Sequence, residues 1–326
     1  MSTGRMPGIS ARVLDGRGNS THLDDAGLHG WTAAAQGTLW VDLDINDAAG
    51  RAWLRNEAKL GRTVIDSLLA GETRPRSLAV ESGLLIVVRG VNLNPGADPE
   101  DMVAVRIWLE RERIITSHRR PILSLSDVGG ALDTGSGPTS SGRFLVFLIG
   151  KLTDRIGHVV EQIEDETDSI EMEIQHGDVG GLRAQLADLR RQTASIRRFL
   201  APQRDALDRL YRQPGGVLTD LESQELREET DRLTRHLEDL DLARERALVT
   251  QEELLNRVAQ EQNQRMYLLS VVAAIFLPLT FLTGLLGMNV AGLPGTEAPY
   301  GFAVSVIAMV LAGIGMGVFF RWRKWI

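Results

Sequence analysis

The chain has 326 residues, 43% hydrophobic and 24% charged, which is enough apolar surface for a packed core and argues against a disordered protein. The formal net charge of −7 argues against a nucleic-acid partner. The absence of cysteine excludes disulfide scaffolds, thiolate metal sites and cysteine nucleophiles.

Residues 1–135 are predicted to form a cytoplasmic α/β domain. The start, MSTGRMPGIS, lacks the apolar core of a signal peptide, so we expect the N-terminus to stay in the cytoplasm. The segments ARVLDG, TLWVDLDI, LAVESGLLIVVRGV and DMVAVRIWLERERIITSHR are rich in apolar β-formers and predict a mixed or antiparallel sheet. NDAAGRAWLRNEAKLG and Val64–Leu69 are predicted helices. We expect His118 to be a surface residue at a strand end.

Residues 136–220 are predicted to form a cytoplasmic helical region that follows the loop-like run DTGSGPTSSG. Its densest acidic segment is Glu161–Asp178. We favour a solvated helix face with Ile163, Ile170 and Ile174 packed inward. The alternative is a segment that attracts cations or binds a regulatory metal.

Residues 221–265 are predicted to be a stalk helix, since no glycine and no proline interrupts them. At 1.5 Å per residue, this helix and its continuation through position 286 would measure roughly 100 Å. Apolar residues recur at spacings of three and four, which is typical of a packing seam. The seam comprises Leu226, Leu233, Leu237, Leu240, Ala247, Leu254 and Val258, with polar Thr230, Arg244 and Gln251 in the same phase.

Two uncharged apolar runs follow, and they predict transmembrane helices at 266–286 and 300–320. Tyr267–Leu286 and Gly301–Phe320 each have the length of roughly 20 residues that crosses a bilayer core. Pro278 removes one hydrogen bond from the first helix, which a neighbouring helix or water can replace.

Basic residues flank the two spans on one side only, which predicts their orientation. They are Arg257, Arg265, Arg321, Arg323 and Lys324. The connecting loop 287–299 contains no Lys or Arg and only one acidic residue, Glu297. We therefore expect a multi-pass protein of the inner (plasma) membrane, with both termini and the basic tail 321–326 in the cytoplasm and the loop outside.

The seam continues into the first span as small, polar or flexible residues, whereas Val271, Ile275, Phe281 and Leu282 fall on other faces. The predicted pore-lining residues are Asn263 (or Gln262), Met266, Leu269, Ser270, Ala273, Leu277, Thr280 and Gly284. The alternative for the two hydroxyls is a hydrogen bond to their own i−4 carbonyls. One hairpin cannot enclose water, so a pore requires several copies with this helix inside.

Gly287, Met288 and Asn289 close the first span, after a long stalk and before a second terminal span. In this context they resemble the GMN signature of the CorA family of divalent-cation transporters. The following VAGLPG, in place of the acidic MPEL loop of many magnesium-type members, is similar to the ZntB zinc-transporter branch.

The resemblance implies a funnel-shaped homopentamer with a ring of signature asparagines at the outer pore mouth. A neutral amide would hold a cation through its water shell without the strong binding of a carboxylate ring. Gly287 would allow a backbone turn that aims Asn289 inward, and Glu297 would be the fixed negative charge of the outer loop. The alternative is that Asn289 only caps the helix.

The sequence thus predicts a transporter of zinc-type divalent cations and not an enzyme. Its expected partners are copies of itself, lipids and the transported cation, with no bound cofactor and no nucleic acid. The branch resemblance suggests proton coupling, whereas the absence of Asp, Glu and His from both spans favours simple permeation. The alternatives are a magnesium, cobalt or nickel channel and a membrane-anchored coiled-coil adaptor or sensor.

Overall fold

The computed structural model describes residues 8–32, 37–80, 83–176, 181–288 and 298–323. The chain divides into two compact units, residues 1–251 and 252–326. The strands are β1 Ile9–Leu14, β2 Ser20–Leu23, β3 Thr38–Asp44, β4 Arg76–Val80, β5 Gly83–Gly90, β6 Val103–Leu109 and β7 Arg113–His118. The helices are α1 Asp25–His29, α2 Ala48–Asn56, α3 Arg62–Leu69, α4 Leu123–Asp133, α5 Ser141–His176, α6 Leu182–Arg212, α7 Asp220–Leu286 and α8 Gly301–Trp322.

The seven strands form one mixed sheet in the order β2-β1-β3-β7-β6-β5-β4. Only the β3–β7 pair is parallel among these strands. One face packs against α2 and α3, where Trp53 and Leu68 join the core. On the other face the Trp40 ring lies 4.9 Å from the Phe144 ring of α5. Because both faces are covered, β5 reads as an unbroken apolar run, and the prediction of an α/β domain is confirmed.

Three elements of this domain, β2, α1 and α4, escaped the sequence prediction. β2 has the polar sequence STHL, so it shows no hydrophobic alternation. α4 contains two glycines, which disfavour a helix in isolation. It forms because Leu125, Val128 and Leu132 share one buried face.

A polar network crosses the parallel strand pair beneath α5. Trp40 Nε1 donates to Thr116 Oγ1 at 3.0 Å, and Thr116 Oγ1 donates to Asp42 Oδ1 at 2.6 Å. His118 Nε2 lies 3.2 Å from Asp42 Oδ2. His118 ends β7 as predicted, but the expectation of a surface residue is wrong because its side chain is only 15% exposed. Burial alone would lower its pKa, yet the hydrogen bond to Asp42 and the charges of Asp42 and Asp44 leave the pKa of His118 raised.

This raised pKa predicts a pH-dependent contribution of His118 to stability. A histidine whose pKa is raised by folding stabilises the protein fully below its unfolded value of about 6.5 and loses this contribution as pH rises through the folded pKa. We expect His118→Gln to destabilise the full chain more at pH 6 than at pH 8, by on the order of 1 kcal/mol. Thermal unfolding of both proteins in detergent at the two pH values measures this difference. An equal cost at both values would contradict it.

The acidic segment of α5 is a helix face, as we favoured. Ile163, Ile170 and Ile174 are each at most 2% exposed. Arg246 of α7 donates to Asp168 Oδ1 at 2.5 Å and to Glu171 Oε2 at 2.6 Å. The acidic side chains described between positions 161 and 174 are therefore exposed or partly exposed, and Asp168 and Glu171 are also paired with Arg246.

The helix α7 begins at a capping box formed by Thr219 and Glu222. The Thr219 amide donates to Glu222 Oε2 at 2.9 Å, and the Glu222 amide donates to Thr219 Oγ1 at 3.2 Å. Ser140 Oγ, at the start of α5, donates to Glu222 Oε1 at 2.6 Å. Burial would raise the pKa of Glu222, but the bonds from Ser140 and Thr219 lower it. One carboxylate thus satisfies donors at the starts of two helices.

The apolar seam of α7 packs within its own chain. Leu226, Leu233, Leu240 and Ala247 are fully buried, and α7 side chains on either side of the seam reach both α5 and α6. The predicted phase is wrong at Arg244, which is exposed. Ala243 takes the buried position instead, because the helix repeat of 3.6 residues shifts the covered stripe.

Candidate functional site

Two helices in the described part of the chain are long and apolar enough to cross a membrane. They are the C-terminal part of α7 and the whole of α8, and their most apolar windows have mean hydropathies of 2.3 and 2.4. No residue of these windows is buried inside the chain. Such exposed apolar helices are unfavourable in water and favourable in a hydrocarbon core of about 30 Å.

In the span of α7, one face is partly covered. Val271, Ile275, Leu279 and Leu282 are less exposed than their neighbours, and they recur at helical spacing. On α8 the partly covered residues recur in the same way and include Gly313. A Cβ built on Gly313 would lie 3.9 Å from Leu279 Cδ1. The two helices therefore lie side by side at this point, at a distance that a Cβ would fill with ordinary van der Waals contact.

The predicted pore-lining residues lie on the uncovered side of α7. Met266, Leu269 and Leu277 are 64%, 65% and 72% exposed. The others are exposed as well: Asn263, Ser270, Ala273, Thr280 and Gly284. Of the residues assigned to other faces, Val271, Ile275 and Leu282 are partly covered. Phe281 differs, because it is 67% exposed.

Both hydroxyls of this uncovered face bond to their own helix. Ser270 Oγ donates to the Met266 carbonyl and Thr280 Oγ1 to the Phe276 carbonyl, each at 2.8 Å. The structure therefore shows the alternative predicted from the sequence, in which each hydroxyl bonds to the carbonyl four residues earlier. Since the hydroxyl hydrogen is used internally, each oxygen keeps a lone pair that can accept a hydrogen bond from water.

Pro278 adds a further acceptor to the span. It lies inside α7 and has no N–H, so the Ala274 carbonyl lacks its usual helical donor. Backbone oxygens freed in this way are tolerated in a bilayer only where protein or water satisfies them. The sequence prediction named Pro278 but not this carbonyl.

The GMN tripeptide lies only partly within the described residues. The Gly287 amide still donates to the Thr283 carbonyl at 2.9 Å, and the Met288 amide to Leu285 at 3.4 Å. The helix ends at Leu286, and Gly287 lies in a turn whose backbone at this glycine is not left-handed. Asn289 and Glu297 lie outside the described residues.

No group of three or more His, Asp or Glu side chains within the described ranges is arranged to hold a metal ion. Zinc bound without its water shell prefers histidine and cysteine ligands in tetrahedral sets. The uncovered face of α7 instead offers neutral oxygen atoms, which suit water molecules around a cation.

Comparisons with known proteins place these features in one family. The CorA-like Mg2+ transporter protein family matches residues 35–324. The chain is 38% identical to the divalent cation transporter CmaX of Pseudomonas aeruginosa over 325 residues, covering 98% of this chain and 96% of the relative. It is 34% identical to the zinc transport protein ZntB of Yersinia enterocolitica, covering 96% and 94%.

A solved structure supports the same assignment. The full-length CmaX protein superimposes with a TM-score of 0.87 and 36% sequence identity, covering 99% of this chain and all of that one. The match includes the α/β domain, the long helix and the two apolar C-terminal helices. The chain belongs to the CorA-like Mg2+ transporter protein family.

Proposed function

We propose that the chain transports divalent metal cations, zinc among them, across the inner membrane through the centre of a homopentamer. The observation that carries the proposal is the uncovered face of the α7 span. There, exposed Ser270 and Thr280 share one side of a helix whose other side is covered. In lipid the spare lone pairs of these two hydroxyls would have no donor, whereas water in a pore would supply one.

In this arrangement the α7 spans surround the axis and the α8 helices lie outside them. The lone pairs of Ser270 and Thr280 and the Ala274 carbonyl would accept hydrogen bonds from the water shell of the cation. Because none of these groups is charged, binding stays weak enough for release. Five copies of Asn289 would select hydrated cations at the outer mouth, and five copies of Glu297 would attract them.

The names of the relatives support divalent cations as the substrate class and do not single out one metal. CmaX is named for divalent cations in general and ZntB for zinc. Magnesium, cobalt or nickel is the alternative, since contact through a water shell discriminates mainly by ion size and charge. A membrane adaptor or sensor is the alternative of a different class.

We infer that ion gradients drive the proposed transport. Neither span contains Asp, Glu or His, so a proton carrier within the bilayer would lack a titrating side chain. The family is one of transporters and not of enzymes.

A flux assay tests the function directly. Purified protein in liposomes loaded with a metal-sensitive dye is offered zinc, magnesium or cobalt, with and without a pH gradient. We expect zinc uptake that needs no pH gradient. Uptake that depends on the gradient would establish coupling. The absence of any divalent flux would overturn the proposal in favour of the adaptor.

A further inference from the structure

A buried arginine without a carboxylate partner lies in the middle of β6. Arg106 is 1% exposed. Its Nη2 donates to the Gly71 carbonyl at 2.7 Å, whereas Nε and Nη1 are buried and have no hydrogen-bond partner among the described residues. Burial, together with the positive charges of Arg119 and Arg89, lowers the pKa of Arg106 to about 10. The side chain is therefore charged at neutral pH, and a buried charge of this kind is costly unless it is compensated.

The sheet brings two more arginines to the same face. Arg106 lies opposite Val87 and Ser117, and Ala104 lies opposite Arg89. Arg119 follows Ser117 by two residues and so belongs to this face as well. Diagonal neighbours in a sheet are about 7–8 Å apart. By this register the three arginines are grouped around a small residue, Ala104.

The acceptors of these guanidinium groups are backbone carbonyls. Arg89 donates to the Thr73 carbonyl at 3.0 and 3.2 Å and to the Met102 carbonyl at 2.7 Å. The Arg119 guanidinium lies against Gly71, where a Cβ would be 3.2 Å from both terminal nitrogens. Carbonyl dipoles carry no net charge, so they leave the three positive charges uncompensated.

No carboxylate in the described part of the chain forms an ion pair with any of the three. The negative charges that act on Arg89 from further away are Glu72 and Asp101, and Asp101 is already paired with Arg120. In addition, the Thr73 hydroxyl is buried without a hydrogen-bond partner. This concentration of donors is unusual in a chain whose net charge is −7.

We propose that Arg89, Arg106 and Arg119 form a binding site for a phosphate-type oxyanion. The planar guanidinium fork matches the oxygen atoms of such an anion, which can accept two parallel hydrogen bonds from each arginine. Three donors are not bonded to backbone carbonyls and remain available to the anion: Nε and Nη1 of Arg106 and the Thr73 hydroxyl. Beside the buried Thr73, Gly71 and Glu72 are exposed, so this segment is where the site lies nearest to solvent.

Two kinds of molecule supply such an oxyanion, and titrating each of them separately distinguishes them. The proposed site does not depend on the proposed transport function. Inorganic phosphate is one, and the phosphate chain of a nucleotide such as ATP is the other. The purified full chain in detergent, without divalent metal, is titrated calorimetrically with each at constant ionic strength. Equal affinity supports a simple oxyanion site, and at least roughly tenfold tighter binding of ATP supports a nucleotide phosphate.

The matched variants are Arg119→Gln and Arg62→Gln. Arg119 is exposed, so its replacement should leave folding intact, and we expect phosphate to bind about tenfold more weakly or worse. Arg62 is 94% exposed and has one ion pair at 3.8 Å, so its replacement should leave binding unchanged. The proposal is overturned if phosphate shows no saturable binding, if chloride competes equally well, or if both variants bind like the native chain.

A second variant tests the buried arginine by its stability. Arg106→Met keeps an unbranched side chain, two atoms shorter, and removes the uncompensated charge. We expect this variant to melt at or above the native temperature in chloride, because a buried unpaired charge is lost. Phosphate should raise the melting temperature of the native chain but not that of Arg106→Met. In phosphate the native chain should therefore melt at the higher temperature. A native chain whose melting temperature does not respond to phosphate would contradict the site.

Discussion

Replacing Asn289 with alanine should reduce zinc flux into liposomes at least roughly tenfold. A hydrogen bond between a charged species and a neutral acceptor contributes about 1.5–3 kcal/mol, and each 1.4 kcal/mol corresponds to about a factor of ten. The variant removes one amide carbonyl from every subunit, so a hydrated cation at the outer mouth loses a whole ring of acceptors. The measurement is the initial rate of zinc uptake at equal protein density.

The matched control for this variant is Ser305→Ala in α8. Ser305 Oγ donates to the Gly301 carbonyl at 2.9 Å within its own helix, and α8 lies outside the proposed pore. We expect its flux to equal that of the native chain. Equal flux in Asn289→Ala and the native chain would rule out the asparagine ring and favour the reading of Asn289 as a helix cap.

A positively charged thiol reagent should block flux through Ala273→Cys and not through Val272→Cys. The chain contains no cysteine, so each variant carries a single reactive thiol. Reaction needs the thiolate, which forms in water and not in hydrocarbon. Adjacent helix positions point about 100° apart. Ala273 belongs to the predicted pore-lining set, whereas Val272 does not.

Both residues are exposed in the single chain, so exposure alone does not separate them. Their positions in the assembled pore separate them, because a residue facing the axis contacts water and a residue facing outward contacts lipid. Modified Ala273→Cys would place a ring of positive charges in the path of a divalent cation, and we expect at least roughly tenfold inhibition. Equal inhibition of both variants, or inhibition of Val272→Cys alone, would show that the uncovered face of α7 is not the pore.

The sequence predicted the elements whose signals are local. A charge-free apolar run of bilayer length identifies a candidate span without reference to the rest of the chain, and both runs lie in helices of the structure. Ile163, Ile170 and Ile174 were predicted to face inward from their helical spacing, and they are buried. The α/β pattern and the family resemblance were likewise readable, since both depend on short stretches of residues.

Predictions failed where a residue's surroundings come from distant parts of the chain. His118 looked like a surface residue because its partner, Asp42, lies on a parallel strand 76 residues earlier. Arg244 failed for a different, local reason, because a strict repeat of seven placed it in the seam whereas a straight helix drifts from this repeat.

By itself, the sequence determined that this protein has an α/β body, a long helix and two apolar helices with a GMN signature after the first, because composition and periodicity are properties of contiguous residues. Only the tertiary structure decided that the seam of α7 is buried within its own chain, and that the span of α7 leaves its polar side uncovered beside α8. It also gathered Arg89, Arg106 and Arg119 on one face of the sheet. Strand register and helix packing join residues far apart in the chain, and no local pattern specifies which of them meet.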